Sequence, residues 1–155
     1  MSGDLVVAPQ EVWKFGTQER VALRTPVVLV ADVVNGAAES RYSALRAPGA
    51  AGGYSVTAGR VLWLTKLVVS GSILNQLWLI GSGTGDAGDS QVAAPAGAAS
   101  EDTRADGVAN PFVTQAALTV AEWSIAVNVL AARFPFVRNM TASSTLRVLV
   151  MGVEV

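Results

Sequence analysis

The chain has 155 residues, of which 51% are apolar and 15% charged, with eleven Lys and Arg against twelve Asp and Glu for a formal charge of -1. That length holds one domain with a real core, and no basic run exceeds a single residue, so the phosphate-neutralising surface of a nucleic-acid binder is missing. Cys and His are both absent, which excludes thiolate zinc sites, disulfides, Cys nucleophiles and every mechanism that needs an imidazole.

The charged fraction is well below the roughly 25% of an average soluble protein. A monomer of this size needs a large polar shell, so the deficit predicts that part of the surface is covered by copies of the chain or by another protein. Met1-Ser2-Gly3-Asp4 lacks the basic start and apolar run of a signal peptide. The strongest apolar stretch, 61–69, is broken by Lys66 and falls short of the ~18 residues that span a membrane. Neither a visible export signal nor a membrane partner is expected.

In chain order, Leu5, Val6 and Val7, then Val12, Trp13 and Phe15, form short extended pieces separated by Pro9. Residues 1–23 read as an N-terminal arm or as edge strands, and 24–155 as a single domain. Residues 27–34, Val-Val-Leu-Val-Ala-Asp-Val-Val, are rich in β-branched side chains and end at Asn35-Gly36, which predicts a strand buried on both faces for most of its length and closed by a turn. Residues 36–53 read as a loop, broken by Pro48-Gly49 and Gly52-Gly53. Tyr54 to Thr57 is a short alternating strand turned by Ala58-Gly59, and 60–69 a long strand stopped by Ser70-Gly71. A further strand, 73–80, shows partial alternation across Leu77, Trp78 and Leu79.

Residues 81–111 turn to Gly, Ala, Asp and Ser and read as a long surface loop. Strand-like composition returns over 113–120, where 115–123 could also make a helical turn or two, and over 123–130. Phe134-Pro135-Phe136-Val137 follows, then a polar turn at 141–144 and a final strand over 145–153, with Leu146, Val148 and Val150 on one face and Arg147, Leu149 and Met151 on the other. About eight strands, long loops and no amphipathic helix predict an all-β fold, a single jelly-roll-like antiparallel β-sandwich.

Little in the chain suggests chemistry. Gly81-Ser82-Gly83-Thr84-Gly85 has the glycines of a phosphate loop but lacks the Lys-Ser/Thr ending and opens no helix. Asp86, Asp89, Glu101, Asp102 and Asp106 match no calcium-loop spacing and read as solvated carboxylates. Asp32, Glu122 and Glu154 are scattered among strands, with nothing to set two of them across a cleft for glycoside hydrolysis. Trp13, Trp63, Trp78, Trp123, Tyr42 and Tyr54 could stack on sugars, but aromatics in strands are more often core or interface anchors. Asn139-Met140-Thr141 fits a glycosylation acceptor and reads as a turn. No catalytic, cofactor-binding or metal residues are expected, and no enzyme.

Two segments resemble a known family when taken together. The first is Gly53-Tyr54-Ser55-Val56-Thr57-Ala58-Gly59-Arg60-Val61-Leu62-Trp63-Leu64-Thr65; the second runs from Phe134-Pro135-Phe136-Val137-Arg138 through Thr141-Ala142-Ser143-Ser144-Thr145 to a terminal Gly152-Val153-Glu154. Their pairing is similar to small jelly-roll proteins of tailed bacteriophages, notably head decoration or cement proteins, and covers roughly the C-terminal two-thirds. The resemblance implies a structural virion protein, a homotrimer on the outer surface of the capsid that clamps the major capsid protein after synthesis in the bacterial cytoplasm. Leu5, Val6, Val7, Val12, Trp13 and Phe15, or the loop 36–53, would reach the shell. The alternative is a receptor- or glycan-binding jelly-roll module of a tail fibre or baseplate.

Overall fold

The computed structural model describes residues 11–14, 19–100, 112–113 and 120–155. All regular structure among them is β: β1 (Glu11–Lys14), β2 (Glu19–Leu23), β3 (Thr25–Val34), β4 (Arg41–Ala44), β5 (Leu62–Gly71), β6 (Leu77–Gly83), β7 (Ala99–Ser100), β8 (Phe112–Val113), β9 (Val120–Val129), β10 (Phe134–Asn139) and β11 (Thr145–Glu154). β1 and β2 form a two-stranded antiparallel hairpin. The other strands make two antiparallel sheets, one ordered β3-β11-β5-β9 and the other β4-β10-β6, with both β7 and β8 along the free edge of β6.

The pairing is nested. β6 pairs with β7 and β8, which occupy two stretches of one edge; β5 pairs with β9, β4 with β10 and β3 with β11. Folding this long hairpin over on itself sends β3 to β6, and again β9 to β11, to alternate sheets, so the two sheets face each other as a β-sandwich. The inner faces meet in one core, with Leu29 and Val33 of β3, Leu62, Leu64 and Leu67 of β5 and Leu146 and Val150 of β11 against Trp78, Ile80 and Val137 of the second sheet. Each such side chain, fully buried, contributes about 1.5–3 kcal/mol.

The strands β3, β5 and β11 form because β-branched residues and leucines alternate with a second set of side chains at period two. β11 shows that alternation along its full length, with Leu146, Val148 and Val150 buried as expected. Gly152 lies where β5 comes so close that a Cβ would overlap the Trp63 carbonyl oxygen, beside the register shift between Met151 and Gly152. At that bulge Thr65 is the extra residue, and Thr65 and Lys66 both point away from the core.

Several expectations need correction. β3 is buried on one face, not two: Leu29, Ala31 and Val33 are inside, while Val28, Asp32 and Val34 are exposed. The stretch 36–53 is not all loop, because it contains β4. Tyr54 to Thr57 is extended but no strand; the Tyr54 N–H donates to the Leu45 carbonyl and the Val56 N–H to that of Arg133. Thr57 to Arg60 makes the expected turn, with Gly59 at φ +77°. β6 begins at Leu77, and 72–75 is a turn with Asn75 in the left-handed region at φ +56°. The loop expected over 81–111 is interrupted at its start by the end of β6 and again by β7. Of 113–120, the described residues are Val113 in β8 and Val120 in β9.

Candidate functional site

The outer faces of the two sheets differ, and the difference locates the candidate surface. On the second sheet, Phe136, Ala44, Tyr42 and Leu79 gather with Ala87 from the 84–98 loop. That loop is fastened down by backbone bonds from the Ala44 N–H to the Gly88 carbonyl and between Tyr42 and Gln91 in both directions. Phe136 meets Tyr42 edge-on with ring centres 5.4 Å apart, and the Arg138 guanidinium lies 5.0 Å over the Tyr42 ring. Asp86 accepts from the N–H groups of Gly53 and Gly88. Arg133 donates to Ser82 Oγ and to the carbonyls of Ser82 and Gly97. The chain's own loop covers this face around Tyr42 and Phe136, while Leu77 at the start of β6 stays exposed.

Among the described residues, none covers the outer face of the β3-β11-β5-β9 sheet. Register places Val30, Leu149, Val68 and Glu122 in one row, Asp32, Arg147, Ser70 and Val120 in the next towards one end, and Val28 beside Met151 towards the other. Val28, Val34, Trp63, Val120 and Met151 are 40–67% exposed. Among the described residues, charges on this face pair with each other: Lys66 with Glu122 at 2.9 Å and Arg147 with Asp32 at 3.8 Å. Such exposed pairs contribute little to stability, but they leave the face close to neutral. Between the two rows at the Asp32 end lies a groove of about 550 Å³, floored by Val30, Val68 and Leu149, with the Arg46–Asp89 ion pair on its rim.

Two buried polar clusters tie the sandwich ends together. Asn139, fully buried, donates through Nδ2 to the Val33 carbonyl and to Ser144, and accepts from the Thr141 N–H. Asn35 Nδ2 donates to the carbonyls of Asn139 and Thr141. The glycosylation pattern at 139–141 therefore has its acceptor amide inside the protein, at the end of β10. At the other end Glu154, 2% exposed, accepts from the Tyr54 hydroxyl and from the Thr57 N–H. Burial first, then the hydrogen bond to Glu154 and its negative charge, hold the Tyr54 hydroxyl well above its ordinary pKa of 10.0.

Among the other expected positions, Trp78 is a core residue and Trp63 an exposed one. Asp86 and Asp89 are engaged by backbone amides and by Arg46, while Glu101, Asp102 and Asp106 lie outside the described residues. No group of three metal-ligating side chains occurs among the described residues. Of the arm residues, Val12 and Trp13 are in β1, whereas Leu5, Val6, Val7 and Phe15 lie outside the described residues. The open sheet face was not singled out by sequence, although its outward residues Val28, Val30, Val68, Leu149 and Met151 are visible as the second apolar set in runs already read as strands. No protein family, curated protein or solved structure matches the chain.

Proposed function

We propose that the chain is a structural, non-enzymatic virion protein, a homotrimeric decoration protein that binds the outside of a tailed-phage head and stabilises it. The observation that carries this reading is the contrast between the two outer sheet faces: one is covered around Tyr42 and Phe136 by the 84–98 loop, while the other is left uncovered by the described residues and is near-neutral with several exposed apolar side chains. An open apolar sheet face of this kind is an association surface. The nested strand pairing supports a jelly roll, and the resemblance of the 53–65 and 134–154 segments supports the virion setting. A closed threefold ring suits the threefold positions of an icosahedral shell, and three weak capsid contacts made at once give useful avidity.

The arm Leu5 to Phe15, which contains β1 and precedes the sandwich, or the loop 36–53 is the part assigned to the shell. The test is cosedimentation with capsid shells that lack the protein. The full chain sediments with the shells, and a chain without residues 1–15 stays trimeric but remains in the supernatant. Full-length protein that fails to sediment refutes the decoration reading; truncated protein that still binds removes the arm from it.

A further inference from the structure

We propose that the groove on the outer face of the β3-β11-β5-β9 sheet receives the Ile73-Leu74 turn of a second copy of this chain. The proposal deepens, and rests on, the trimer reading above: it names which surface each subunit offers the next.

The groove and the turn match in chemical character, each apolar and without net charge. The floor of the groove is Val30, Val68 and Leu149, with Val120 at its edge. Its charged rim is satisfied within the chain, Asp32 by Arg147 and Arg46 by Asp89, so it offers no net charge and suits an uncharged occupant. The turn from β5 to β6, Ser72-Ile73-Leu74-Asn75, carries no charge. Asn75 at φ +56° reverses the chain there, and the reversal presents Leu74 to solvent at 56% exposure beside exposed Ile73 and Leu77. Two adjacent large aliphatic side chains at the tip of a turn are an unusual use of apolar surface, since turn positions favour Gly, Pro, Asn, Asp and Ser.

A subunit cannot fill its own groove. β5 and β6 belong to opposite sheets, so the turn crosses the end of the sandwich and faces off that end, whereas the groove opens on the sheet's flat face. The occupant is therefore the turn of another copy. A contact between two unlike surfaces is heterologous and closes into a three-membered ring when it turns each subunit by a third of a circle, as the trimer reading requires; the sheet face packed on itself would give a twofold dimer instead. A stable contact needs about 800 Å² from each partner, more than the groove alone provides. The remaining apolar surface of the same face, at Val28, Trp63 and Met151, adjoins it.

The test uses two full-length variants, Leu74→Asp at the turn and Leu149→Asp in the groove, each checked for folding by far-UV circular dichroism and urea midpoint. Val120→Asp replaces the second variant if Leu149→Asp does not fold. Each variant alone should be monomeric by light scattering at a concentration where the wild type is a trimer, a weakening on the order of a hundredfold. Mixed in equal amounts they should form a 1:1 complex, because the Leu74 variant keeps its groove and the Leu149 variant keeps its turn. A wild-type trimer that survives Leu74→Asp overturns this inference and leaves the trimer reading standing, as does a mixture of folded variants that stays monomeric. A wild type that is itself monomeric overturns the trimer reading and this inference with it.

Discussion

Tyr54→Phe isolates one hydrogen bond whose loss can be worked out from its surroundings. Glu154 is almost completely buried at the end of β11, with one carboxylate oxygen accepting from the Tyr54 hydroxyl and the other from the Thr57 N–H at 3.2 Å. The phenyl ring keeps the packing of Tyr54 against the main core and removes only the donor. Hydrogen bonds to charged groups contribute about 1.5–3 kcal/mol. Tyr54 is only partly buried, so water can take over some of that role, and the low end, about 1.5 kcal/mol, applies. With a urea slope of about 2 kcal/mol/M the midpoint falls by about 0.7 M at unchanged slope, measured at one fixed protein concentration because association would shift it.

The same pair has a pH signature. The hydroxyl's folded-state pKa is raised above its ordinary 10.0, so above pH ~10 the unfolded chain loses this proton while the folded chain keeps it, and stability falls with rising pH. The stabilisation is fully present below that pH and is lost as pH climbs towards the folded-state value. The phenylalanine variant has no such proton, so the gap between it and the wild type narrows above pH ~10. An unchanged midpoint at pH 7, or a gap that stays constant into alkaline solution, would refute the reasoning.

Two further substitutions probe the frame of the site. Asn139→Ala should cost about 2–3 kcal/mol, because it strips the buried Val33 carbonyl and Ser144 of their donor; a thermal or urea midpoint within error of wild type would show that water substitutes for the amide. Gly152→Ala should cost about 1–3 kcal/mol, since the new methyl forces β11 away from the Trp63 carbonyl. Amide exchange should then quicken across the β5–β11 ladder near Leu64 and Trp63, and unchanged protection there would contradict the close approach.

What was legible in the sequence follows from what each strand buries. The runs at 27–34, 60–69 and 145–153 are dense in Val and Leu and correspond to β3, β5 and β11 with small shifts at their ends. β4 was hidden because Arg41-Tyr42-Ser43-Ala44 has little apolar bulk of its own; its place is set by pairing with β10, by Phe136 lying against Tyr42, and by the loop that covers both. The β6 start differs from its sequence expectation for the opposite reason. Ile73 and Leu74 look like strand residues, yet they sit in an exposed turn, and no local propensity distinguishes apolar side chains that end up exposed from those that enter the core. The same ambiguity explains β3. Val28, Val30 and Val34 read as a second buried face, and in the single chain that face is open or half-open. The composition carried that message in aggregate, as too much apolar residue for the charge available, without showing which surface held the excess.

The most direct test of the account is the solution mass of the purified protein by light scattering, at micromolar and then at tenfold lower concentration. A trimer gives a stable mass of about three times 16.0 kDa at both concentrations, with the open face of the β3-β11-β5-β9 sheet buried between subunits. A persistent mass of 16.0 kDa would contradict it, because the apolar face would then stand exposed in a lone subunit and the preassembled trimer would not exist.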